Sequence, residues 1–131
     1  MPITVVWDDD RQMVIRTDCA PAWTWQEWQQ ATLVMHTLLD AVDHPVSVLV
    51  DARDTVLPCD TMKQLPTLRH TARQLVGHPI RLIVVVGSAD YLDVLASIYE
   101  QVYGGIVQAV VRAVSLPEAY ALLASCQPNR N

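Results

Sequence analysis

Val46-Ser47-Val48-Leu49-Val50 runs directly into Asp51-Ala52-Arg53-Asp54, and the reading of this stretch decides the fold. An aliphatic run that follows a proline and stops at a cluster of charge reads as a strand buried on both faces. Strands of that kind belong in the middle of a layered α/β sheet. The segment beyond it, Asp51 to Asp60, falls where an open sheet offers its working edge.

Working back from this strand, Pro45 and His44 close a helix. Its start is marked by Thr24-Trp25-Gln26-Glu27, a capping box in which hydroxyl and carboxylate each serve a backbone amide. Trp23 before the cap and Trp28 at the fourth helical position have the staple arrangement. Trp28, Ala31, Met35, Leu38, Leu39 and Val42 form one apolar stripe. The clustered tryptophans either anchor the helix start to the core or form a box for stacking a ligand. Before them, Ile3 to Trp7 and Met13 to Thr17 flank the polar turn Asp8-Asp9-Asp10-Arg11, which predicts a β-hairpin within residues 1–20. The three aspartates lack the spacing of a calcium loop.

Working forward, Asp60 can cap a short turn at Thr61 to Leu65. Pro66 suits the first turn of a helix, so the main helix is expected over 66–76, stopped by Gly77. Ile80 to Val86 is a second apolar strand. Ser88 caps a helix from Ala89 to Tyr103 whose apolar side, including Tyr91, Leu95, Tyr99 and Tyr103, is wider than one core-facing stripe needs. Either loops cover the excess or a second subunit does, and a homodimer through this self-association patch is the expectation. Ile106 to Val114, with Gln108 and Arg112 alternating against aliphatics, reads as a half-exposed edge strand. Ser115-Leu116-Pro117-Glu118 is a second capping box, and residues 127–131 are expected to fray.

The predicted class is therefore α/β: an N-terminal β-hairpin, then βαβαβα, with a mostly parallel five-stranded sheet and about four helices in one domain over 1–131. A net charge of −5 argues against nucleic acid and anionic membranes as partners. No apolar run approaches the roughly 18 residues of a membrane span. The N-terminal region lacks the charge pattern of a signal peptide, which points to a cytoplasmic protein. Cys19, Cys59 and Cys126 fit no zinc or redox spacing, and free thiols are expected. No cofactor or metal motif is found.

The element order, with Val48-Leu49-Val50-Asp51 followed by a loop and a helix, resembles the STAS or SpoIIAA-like fold of bacterial anti-sigma factor antagonists. The closing stretch, Val111 to Ala119, looks like the last strand and helix cap of the same superfamily. The resemblance is nearer still to small bacterial STAS-like proteins with paired tryptophans before the first helix. It covers nearly the whole chain in element order and implies a non-enzymatic regulatory domain that works by protein contact. In those antagonists the loop after this strand carries a phosphorylated serine. The resemblance places Asp60 at or near it, with Thr61 beside it and Met62 where the family has glycine. The expected contact surface is thus the loop 54–61, with Asp54, Thr55, Cys59, Asp60 and Thr61, and the helix that follows.

Two other chemistries compete. Lys63, Arg69 and Arg73 are three of nine basic residues, close together in an acidic chain. They form either a solvated helix face or a site for an anion, a nucleotide or a lipid headgroup. Cys59 would be a thiolate nucleophile if His70 and those cations met it.

Overall fold

The computed structural model describes residues 3–53, 61–73, 80–87, 92–103 and 109–125. Its elements are β1 (Ile3–Trp7), β2 (Val14–Cys19), α1 (Trp25–Asp40), β3 (Val46–Ala52), α2 (Thr61–Arg73), β4 (Ile80–Gly87), α3 (Leu92–Tyr103), β5 (Ala109–Ala113) and α4 (Leu116–Ser125). This is the expected hairpin followed by alternating helix and strand. The expected tail at 127–131, the Ser88 cap and the Gly77 stop lie outside the described residues.

One five-stranded sheet runs in the order β1-β2-β3-β4-β5. β1 is antiparallel to β2, and every later pair is parallel. β3 is the middle strand, and all of its residues are buried. That is what its unbroken aliphatic run requires of a strand covered on both faces. β5 is an edge strand, as the alternation around Arg112 predicts, with mixed burial along it.

Strand order equals chain order, so each right-handed crossover steps the same way and places its helix on the same face. The core divides accordingly. α1, α2 and α3 cover one face through Trp28, Met35, Leu39, Leu68 and Val102, packed on Ile15, Val48, Val50, Ile83 and Val85. α4 alone lies on the other, closing Ala119 and Leu123 over Val14, Leu49, Leu82, Val84 and Val86. α4 reaches β3, β4 and β5. On β1, Thr4 and Val6 of that second face stay exposed. A sheet wound in one direction has no reversal of strand order. The carboxyl end of β3 is therefore not at a topological switch point. Residues 54–60 of the expected working edge lie outside the described residues.

Both capping boxes form, with one difference. Glu27 N donates to Thr24 Oγ1 at 3.1 Å, and Thr24 N donates to the Glu27 carboxylate at 2.8 Å. At α4, Glu118 N donates to Ser115 Oγ at 3.2 Å, but the Glu118 carboxylate accepts from Val114 N at 2.8 Å, one residue before the cap. α2 departs further from expectation. It is one helix from Thr61 with Pro66 inside it, not a turn followed by a helix from 66. Pro66 removes the donor that would reach the Met62 carbonyl, an interior cost of about 3 kcal/mol. Burial of Leu65 and Leu68 on the adjoining face offsets it, since a buried leucine contributes about 1.5–3 kcal/mol.

Candidate functional site

The carboxyl end of β3 is organised by Asp51, a carboxylate only 8% exposed. Arg16 on β2 reaches it with Nη2 at 3.2 Å. Arg53 folds back onto it with Nε at 2.9 Å and Nη2 at 3.0 Å. A buried carboxylate is tolerable only when paired and hydrogen-bonded, and this one has both. Arg16 also donates from Nε to Asp18 at 2.8 Å, and that bond holds its guanidinium still more firmly protonated. Tyr120 on α4 accepts from Arg16 Nη1 at 3.1 Å and donates to Asp8 at 2.9 Å. Partial burial and the Asp8 carboxylate raise the Tyr120 hydroxyl pKa, with Arg16 opposing.

This network crosses the second face of the sheet beside α4 and links β1, β2, β3 and α4. Alternation puts Arg16 and Asp18 there, because Val14 packs under α4 while Ile15 faces the other helices. Asp51, Asp18 and Asp8 each meet a guanidinium or a phenol hydroxyl. Chemically the cluster therefore positions groups through paired charge. It fixes the strand end from which the loop leaves for α2. Sequence reading missed the role of Arg16, Asp8 and Tyr120. The one local signal was the pair of opposite charges, Arg16 and Asp18, at alternate positions of a hairpin strand.

Of the loop residues singled out, Asp54, Thr55, Cys59 and Asp60 lie outside the described residues, as does the side chain of Thr61, the first residue of α2. Lys63, Arg69 and Arg73 are all exposed on α2, together with His70. Arg69 and Arg73 are one turn apart, and Arg69 donates to Gln101 at 3.4 Å. No Asp or Glu occurs on α2, so this helix carries positive charge only. Between α1 and α2 lies a polar hollow of about 380 Å³, lined by Thr24, Trp25, Gln26, Gln29, Gln64 and Thr67.

The tryptophans are anchors. Trp23, Trp25 and Trp28 are buried and meet edge to face, with ring centroids 4.6 and 5.8 Å apart along the series. Trp28 then donates from Nε1 to Tyr99 at 3.2 Å, and Tyr99 stacks on Tyr103 at 5.6 Å. Each such ring pair contributes about 0.5–1.5 kcal/mol beyond area. This corrects the expectation that Tyr99 and Tyr103 form a self-association patch: they are 6% and 1% exposed and complete the core. On α3 the tryptophan cluster meets Tyr99 and Tyr103, while Val94 stays 50% exposed. Tyr91 and the side chain of Leu95 lie outside the described residues. Cys19 sits in the same layer, and burial pushes its thiol up to about 12, which makes it a poor nucleophile. Among the described residues, no helix is long and apolar enough to cross a membrane.

Fold and network together define an α/β domain with a five-stranded mixed sheet. Compared with protein-family models, curated proteins and solved structures, the chain matches none of them.

Proposed function

We propose that the chain is a non-enzymatic, STAS-like interaction domain that binds a regulatory protein partner through the start and exposed face of α2. The observation that carries this reading is an exposed face of α2 whose charged side chains, Lys63, Arg69 and Arg73, are all basic, with His70 beside them, on a chain of net charge −5. α2 is seated by its buried Leu65 and Leu68 and packs beside α1 and α3, which leaves this face outward. Concentrated charge of one sign selects a partner of the other sign and speeds its encounter, so the partner surface is acidic. The test compares proteins retained by the immobilised chain with those retained by Lys63→Glu/Arg69→Glu/Arg73→Glu. The variant is expected to lose at least about tenfold of a salt-sensitive partner, with its circular dichroism unchanged. Equal retention by both chains overturns the reading.

The polar hollow between α1 and α2 favours a second reading, a small-ligand module for an anion, nucleotide or lipid headgroup, since about 380 Å³ is within the range of ligand pockets. A thermal-shift screen with those three classes separates the two. A ligand at a hundred times its dissociation constant adds about 2.7 kcal/mol to stability, and a flat response removes this reading.

A further inference from the structure

We propose that the free edge of β1 is a self-pairing surface, where two copies of this chain join β1 to β1 in antiparallel register and continue the sheet across both. This rests on the β-hairpin alone and is independent of the α2 surface.

The direction of the peptide groups carries the argument. Asp8 N donates to Val14 O at 2.8 Å, in line with the register that pairs Val6 with Arg16 and Thr4 with Asp18. In an antiparallel ladder, hydrogen-bonded and non-bonded pairs alternate. The even residues of β1 therefore point their amides and carbonyls at β2, and Ile3, Val5 and Trp7 point theirs outward. Among the described residues nothing pairs with that edge. An exposed edge of this kind is a template for another strand.

The edge is self-complementary. With Val5 opposite Val5, a two-fold axis sets Ile3 of one copy against Trp7 of the other, and the reverse. All three outward residues are then matched, giving roughly six backbone hydrogen bonds. Thr4 falls opposite Val6 on the second face, a pairing of β-branched residues that suits a pleated sheet. Val6 is 46% exposed without it.

The side chains agree with the backbone. A groove of about 390 Å³ runs beside this edge, lined by Ile3, Val5, Glu27, Gln30, Ala31 and Val34 among others, and Val34 is 45% exposed. The two-fold register sends Trp7 of each copy toward Ile3 of the other, on the groove side. Trp7 is the one tryptophan outside the buried set; it packs against the core but stays half-buried. Tryptophan in a partly desolvated pocket is a typical interface anchor.

Sedimentation velocity of the full chain up to about 50 micromolar, with Val5→Pro and Val6→Lys alongside, tests this. Val5→Pro deletes the central outward donor and spares the hairpin ladder, because an edge strand tolerates proline where its amide faces away. Val6→Lys changes only an exposed side chain. Wild type is expected to sediment as a dimer, and each folded variant as a monomer or with at least about tenfold weaker association. Should Val5→Pro fail to fold, Val6→Lys decides. A monomeric wild type overturns the proposal, including one that instead pairs an added aliphatic peptide. So does a dimer that a folded variant leaves unweakened.

Discussion

Asp51 shows how a single buried charge ties the molecule together. Its carboxylate faces two guanidinium groups, and their partial exposure, 25% for Arg16 and 48% for Arg53, tempers what the pairing contributes. Fully buried pairs lose about 3–5 kcal/mol when broken, and exposed pairs under about 1. Asp51→Ala should therefore destabilise by about 2 kcal/mol in urea titration, with no change of slope. A loss below about 0.5 kcal/mol would make the cluster decorative. Asp51 was legible in the sequence as the charge that stops an apolar run. Its partners were not. Tyr120 meets Arg16 and Asp8 across more than a hundred positions, and that meeting depends on which face α4 takes. No local pattern encodes the choice.

Elements were legible where their determinants span a turn or less. Thr24 to Glu27 contains all the atoms of its own cap, so the start of α1 reads correctly. Pro66 does not, because a local rule competes there with a distant one. The ring opposes a continuous helix, while the core layer rewards burying Leu65 and Leu68 together. Pro66→Ala should restore the missing donor and stabilise by about 1–2 kcal/mol, part of the roughly 3 kcal/mol being returned by a more flexible unfolded chain. An unchanged or lower thermal midpoint would show that α2 is not strained by the proline. α3 misled for a related reason. The excess width of its apolar side was visible, but not that Trp28 of α1 takes Tyr99 and Tyr103 into the core.

At the scale of the whole molecule, the layer under α1 to α3 holds three protonated groups that resist ionisation. Burial raises the pKa of Cys19 from 9.0 to about 12 and also raises those of Tyr99 and Tyr103. Each group keeps its proton in the folded chain and releases it earlier when unfolded. Their contribution is complete below about pH 9 and falls as pH climbs toward the folded-state values, by up to about 1.4 kcal/mol per unit per group. Unfolding free energy should thus drop steeply from pH 9 to 11, with Tyr99 and Tyr103 forming tyrosinate only on unfolding. A flat profile, or native-state ionisation that persists when Tyr91 and Tyr120 are both replaced by Phe, would contradict the packing around Trp28. The winding direction has a different consequence. Because every strand lies beside the one made just before it, no strand is ever inserted between two that are already in place. Assembly can follow synthesis, one βα turn laid upon the last. The same geometry leaves the β5 end open-ended in evolution, where a further turn could be appended without re-threading the chain.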